Sequence, residues 1–215
     1  AVLSPTELSF ARFLFSGGLL LVWVLATDVA GLAGMVRQDP RRLLLATVFG
    51  PLLAMTCFNF GIRHIAVGTA AVFAALEPLF TYLLAVARGQ EAWKPARLAS
   101  ILAALAGIAL VVASREEAGR AYWWGLVLVT LTPLVWSANN IITKDLVVRH
   151  SPLAMVAATF VLSSLMLAPT LGGGFLGRLA GMGAALWLGM LFLIFSTVGG
   201  FSIWYWSLRH LPPST

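Results

Sequence analysis

Residues 66–87 read AVGTAAVFAALEPLFTYLLAVA, a run in which Glu77 is the one charged side chain. At ~1.5 Å per helical residue this run spans ~33 Å, enough to cross ~30 Å of hydrocarbon as a helix. Six more stretches share its character, over residues 8–30, 43–65, 96–113, 123–142, 153–171 and 184–208. The whole chain of 215 residues is 60% hydrophobic and only 10% charged, against about 25% charged in soluble domains. Its mean hydropathy is +0.93. A water-soluble fold of this size cannot hide so much apolar surface. The expected fold class is therefore all-α, a polytopic membrane bundle of seven spans with the lipid bilayer as its solvent.

The net charge of +6 does not mark a nucleic-acid binder, because the 14 basic residues are scattered through the short connections instead of gathering in one stripe. Cys57 is the single cysteine, so it forms no intrachain disulfide, and within an apolar run it reads as a small packed residue. Ser4-Pro5 and Ser151-Pro152 each place an N-cap serine before a proline at the first helical position. The other connections carry Asp39-Pro40, Lys94-Pro95 or Gly172-Gly173-Gly174. One side of the membrane collects Arg37, Arg41, Arg42, Arg88, Lys94, Arg97, Lys144, Arg149 and Arg209, and the other only Arg12, Arg63, Arg115, Arg120 and Arg178. The positive-inside rule puts the richer set in the cytoplasm.

The sequence also repeats itself. Phe58-Asn59-Phe60-Gly61-Ile62-Arg63-His64-Ile65 aligns with Trp204-Tyr205-Trp206-Ser207-Leu208-Arg209-His210-Leu211 at an offset of 146. At an offset of 147, Ser4-Pro5, Phe13, Ser16 and Leu20 match Ser151-Pro152, Phe160, Ser163 and Leu167. Chance likeness between apolar helices is the competing reading, and the matched Ser-Pro starts and Arg-His ends weigh against it. The first two stretches then correspond to the last two, which divides the chain into halves at residues 1–119 and 120–215. The fifth stretch needs a counterpart before residue 1, and the third and fourth need counterparts after residue 215. The expectation is a parent of ten spans and ~285 residues, at ~20 residues per span. Five spans per half turn the second half upside down relative to the first, the inverted-topology repeat of secondary transporters.

The residues carry a resemblance as well. Leu134-Val135-Trp136-Ser137-Ala138-Asn139-Asn140-Ile141-Ile142-Thr143-Lys144 resembles the opening helix of a half in the EamA-type drug/metabolite transporter superfamily. Arg12 in Leu8-Ser9-Phe10-Ala11-Arg12-Phe13 resembles that family's arginine near the start of its second helix. Ala74-Ala75-Leu76-Glu77-Pro78-Leu79-Phe80 resembles the Glu-Pro element of its fourth helix, and the Gly107 region its glycine-bearing fifth helix. The resemblance spans essentially the whole chain and departs from the family in the expected truncation, one helix at the start and two at the end. It implies an exporter of small metabolites, such as amino acids, or of drug-like compounds, in a bacterial inner (plasma) membrane, working by alternating access with no cofactor.

Glu77 stands near the middle of its stretch, where an ionised carboxylate costs at least ~2.5 kcal/mol. Two readings stand: a carboxyl in the substrate pathway that exchanges protons as the coupling ion, or a structural carboxyl bonded to a neighbouring helix beside a kink at Pro78. Thr69, Phe73, Phe80 and Thr81 share its helical face. Thr132, Pro133, Trp136, Asn139, Asn140 and Thr143 form a second polar stripe at spacings of three and four. Paired amides beside a tryptophan suit an amphipathic organic substrate, and equally serve as glue between helices. Arg12 either meets an anionic group of a substrate or snorkels to the interface. Thr56, Asn59 and Arg63 stripe the second stretch, and Ser196, Gly200, Trp204 and Ser207 the last. Trp93, Trp123 and Trp124 read as interface belts, while Ala99, Ala103 and Gly107 read as a packing stripe.

Other classes fit less well. No glycine loop for a nucleotide is present, the last stretch has no lysine for a retinal, and there is no HExxH, no pair of membrane aspartates, and all three histidines lie at the ends of their stretches, so an enzyme is not expected. The alternative to a transporter is a non-transporting seven-helix membrane protein, a receptor, sensor or membrane subunit.

Overall fold

The computed structural model describes residues 3–89, 91–113 and 120–210. Arg115, residue 119 at the expected boundary between halves, and residues 211–215 of the repeat alignment lie outside the described residues. The described residues are predominantly helical, and no strand occurs among them. Among the described residues six helices are long and apolar enough to cross a membrane: Pro5–Thr27, Pro40–Gly61, Gly68–Ala87, Tyr122–Arg149, Pro152–Thr170 and Ala184–His210. The seventh expected span, over residues 96–113, forms the helix Pro95–Ala113, with a shorter apolar part over Pro95–Gly107. Large apolar side chains such as Val22, Leu110 and Phe192 are at least 70% exposed, which suits hydrocarbon and not water.

Helix by helix, the chain runs α1 (Pro5–Thr27), α2 (Val29–Gln38), α3 (Pro40–Thr47), a π-helical segment (Val48–Ala54), α4 (Met55–Gly61), α5 (Val67–Ala74), α6 (Glu77–Ala87), α7 (Pro95–Ala113), α8 (Arg120–Arg149), α9 (Pro152–Leu167), α10 (Phe175–Ala180) and α11 (Ala184–His210). The two Ser-Pro starts cap as expected. Ser4 Oγ accepts from the Glu7 N–H while the Glu7 carboxylate accepts from the Ser4 N–H, and Ser151 Oγ accepts from the Ala154 N–H. Pro51 cannot donate a backbone hydrogen bond, and the wider π turn around it absorbs the loss. α8 runs well past residue 142, where the sequence pattern stops. Leu146 and Val147 are buried beyond Lys144, so its last turns have an apolar face of their own.

Two compact units emerge, one from Ala1–Leu52 with Ile142–Leu211 and one around Leu53–Ile141. The chain passes between them inside the π segment and inside α8.

In the first unit α1 lies against α9 and α11. Phe13 packs on Phe160 at 5.4 Å, and Phe160 meets the edge of Phe201 at 5.1 Å. Gly17 permits the close crossing of α1 and α9, since a Cβ there would stand 2.9 Å from both Phe160 Cβ and the Val161 backbone nitrogen. Ion pairs tie the ends. His150 bonds Asp39 at 3.0 Å, Arg42 reaches Asp145 at 2.9 Å, and Arg149 and Arg42 each stand 3.9 Å from Asp39. The bond to His150, with the nearby arginines, holds the Asp39 carboxyl below the usual carboxylate range. These contacts join two connections that the count of basic residues put on one side of the membrane. Glu7 pairs with Arg178 among the ends assigned to the other side.

In the second unit α4 crosses α8 through paired glycines. A Cβ on Gly61 would meet Val129 Cγ2 at 2.5 Å, and one on Gly125 would meet His64 Cβ at 2.8 Å. Around the crossing lie Ile65, Ala70, Phe73, Leu76, Leu126 and Val129. Ala99, Ala103 and Gly107 of α7 are exposed, so the packing expected of that stripe is not made among the described residues.

The glycine at the α1–α9 crossing is a site where size alone decides stability. Gly17→Leu is expected to lower thermal stability in mild detergent by about 1–3 kcal/mol through overpacking against Phe160 and the Val161 backbone. Gly18→Leu, where nothing lies within 4 Å of the added Cβ, is expected to leave the melting temperature unchanged.

Candidate functional site

Pro78 has no N–H to return to the Ala74 carbonyl, and the helix through residues 68–87 is interrupted at Ala75–Leu76. The chain restarts as α6 with Glu77 as its first residue and Pro78 as its second, a favoured position for proline. Glu77 is the tenth of the 20 residues of Gly68–Ala87, so the break falls at mid-span. A carboxylate there meets the positive end of the α6 dipole, which favours it within the first helical turn. Half-helices of this kind are found where transporters bind substrates and ions.

Four polar groups from α6 and α8 meet at this break. Asn140 Nδ2 donates to Glu77 Oε1 at 2.9 Å. Ser137 Oγ stands 3.0 Å from the Glu77 carbonyl oxygen and 2.7 Å from that of Pro133, and its single proton serves one of them at a time. Thr81 Oγ1 donates to Ser137 Oγ at 2.9 Å. Among the described residues the donor to the Glu77 carboxyl is thus a neutral amide, with no cation beside it. Such a carboxyl accommodates either protonation state with little rearrangement, because an amide also offers an acceptor when it turns.

The polar stripe expected on α8 points inward. Thr132 and Trp136 are buried, and Asn139, Asn140 and Thr143 are fully so. Of the residues expected to share a face with Glu77, Thr69, Phe73 and Thr81 are buried and Phe80 is half-buried, although the break divides them between two short helices. Asn59 is buried on α4 in the same unit. Pro78 and Tyr82, with Arg97 and Ser100 of α7, line a cavity of about 340 Å³ on another side of α6, where Arg97 lies over the Tyr82 ring and pairs with Glu91.

Arg12 and Trp204 belong to the other unit. Arg12 Nε donates to Thr197 Oγ1 at 2.6 Å. The buried face of α11 is formed by Met190, Ile194, Thr197, Tyr205 and Leu208; Trp204 stands at its edge, 37% exposed, and Ser196 and Gly200 are exposed beside it. Lys144 Nζ donates to the Leu208 carbonyl, closing the end of α11. Sequence reasoning passed over Ser137 and Thr197. Ser137 was within reach of it, standing four residues after Pro133 and three before Asn140. Thr197 was not, because a lone threonine on an apolar helix carries no periodic signal.

Fold and site together define a polytopic helical membrane protein with a carboxyl at a broken mid-membrane helix. The EamA-like transporter family model matches residues 1–113, just over half of the 215, and the chain belongs to that family. A search of curated proteins finds no match. Among solved structures, one protein crystal structure is 20% identical with a TM-score of 0.66, over 97% of this chain and 71% of the other, a likeness of fold.

Ser137 is expected to hold the break. Ser137→Val removes the acceptor of the buried Thr81 hydroxyl and the donor to the Glu77 carbonyl, and is expected to cost about 1–3 kcal/mol in denaturation measured in mild detergent. A loss below ~0.5 kcal/mol would contradict this role.

Proposed function

We infer that the protein is a secondary-active transporter that exports small metabolites, amino acids or related compounds, or drug-like molecules, by alternating access in a bacterial inner membrane, with protons as the coupling ion. Membership of the EamA-like family supports transport. The observation that carries the coupling is the Glu77 carboxyl at the α5–α6 break, bonded by Asn140 with no cation beside it. A carboxyl salt-bridged to arginine keeps its charge, whereas one held by a neutral amide exchanges a proton while staying in place. Protonation removes the charge that favours the α6 N-terminus and converts one carboxyl oxygen from acceptor to donor. Both changes bear on the α6–α8 contact, so proton binding and helix movement are linked. Thr81, Trp136, Asn139, Asn140 and Asn59 are the pathway residues proposed in this unit, with Arg12 and Trp204 in the other. An amphipathic solute gains hydrogen bonds from the amides and apolar surface from Trp136. The repeats over 1–119 and 120–215 are proposed as the elements that exchange access.

Glu77→Gln tests the coupling, since the amide is close in shape but does not titrate. In cells making the protein, with efflux of a panel of amino acids and cationic dyes followed between pH 5.5 and 8, the variant is expected to lose the pH dependence. Its efflux at the optimum is expected to fall at least ~10-fold, about 1.4 kcal/mol in the barrier. Unchanged efflux with an unchanged pH profile would overturn proton coupling at this residue.

A further inference from the structure

Arg12 is the most anomalous charge in the first unit. The guanidinium carries five N–H donors, of which one, Nε–H, is engaged by Thr197 Oγ1 at 2.6 Å. No ion pair among the described residues includes it. The nearest acid in sequence, Glu7, is taken by Arg178 and by the Ser4 capping box.

Snorkelling does not explain the arrangement. Thr197 is the midpoint of α11, with 13 residues of Ala184–His210 on either side of it, so the bond holds the guanidinium at the depth of the helix centre. A snorkelling arginine extends toward the interface instead. An arginine at the centre of a span is costly to insert, and such residues pair with other groups when they persist.

A second observation points the same way. Ser16 is one helical turn from Arg12 on the same face of α1, is fully buried, and its Oγ has no hydrogen-bond partner. The flanking groups are aromatic, with Phe160 and Phe201 in edge contact between α9 and α11. An uncompensated guanidinium fork, a spare hydroxyl and apolar rings match a planar oxyanion on an apolar body.

We propose that Arg12, oriented by Thr197 and assisted by Ser16, binds the carboxylate of a small apolar solute. The oxyanion chemistry is shared by lipid phosphate, and the solute is favoured because the guanidinium is held at mid-span and not at headgroup depth. This deepens the transporter reading and rests on it for the fate of the ligand, while binding itself is measured without transport.

The probe is benzoate, with benzamide as its neutral counterpart, titrated into purified protein in a zwitterionic, phospholipid-free detergent and followed by thermal shift and by isothermal calorimetry. Benzoate is expected to bind saturably and benzamide at least ~10-fold more weakly. Arg12→Lys keeps the charge but loses the fork, and is expected to weaken benzoate at least ~10-fold, whereas Arg37→Gln, at an exposed position of α2, leaves binding unchanged. The melting temperature of each unliganded variant shows that it is folded. Equal binding by benzoate and benzamide, or by wild type and a folded Arg12→Lys, would overturn the proposal. Displacement of benzoate by dioleoylphosphatidylglycerol but not by dioleoylphosphatidylcholine would also overturn it, by assigning the site to lipid. Loss of binding together with normal proton-coupled efflux would remove this site and leave the transporter reading standing. Binding without efflux would do the reverse.

Discussion

A carboxyl group in the middle of a membrane-spanning segment must be answered by something other than water. At Glu77 the answer is the Asn140 amide 2.9 Å away and the first turn of α6. The rest of the second unit follows from that demand. Pro78 interrupts the helix so that the first turn of α6 lies at the carboxyl, Ser137 of α8 bonds the Glu77 carbonyl and the Thr81 hydroxyl of α6, and the small surfaces of Gly61 and Gly125 bring α4 against the same helix. Each device serves to satisfy polar atoms where hydrocarbon offers no partner.

The first unit solves a related problem with different means. At its helix ends Glu7 pairs with Arg178 and Asp39 with His150, where headgroups and water soften the cost of burial. Arg12 is held at mid-span by a neutral hydroxyl. Glu77 and Arg12 thus stand away from the ends of their spans, each bonded to a neutral partner. Opposite charges satisfied by each other are inert, whereas charges left with neutral partners remain available to protons and solutes.

Much of this was legible in the sequence because membrane helices advertise themselves. Runs of apolar residues, the Ser-Pro starts and the basic connections placed the spans to within a few residues at most ends, since length and polarity are fixed by the bilayer. Three features were less visible. α8 continues through Lys144 and Asp145 because Leu146 and Val147 supply an apolar face, which a scan for uncharged runs stops short of. Pro78 makes a kink legible in the sequence, but not that the helix is interrupted over Ala75–Leu76, a local backbone adjustment that residue type alone does not fix. The facing of α11 is less legible, because Trp204 stands at the edge of the buried stripe through Thr197 and Leu208, and composition does not distinguish lipid from protein as the neighbour.

The bond between Asn140 and the Glu77 carboxyl can be observed without knowing the substrate. An infrared titration of the purified protein, with the Glu77 carboxyl band assigned by its disappearance in Glu77→Gln, reads the environment of this one group. The band is expected to titrate in the wild type and to shift in both frequency and apparent midpoint when Asn140 is replaced by alanine. A Glu77 band unchanged by that replacement would contradict the coupling of α6 to α8 through this carboxyl.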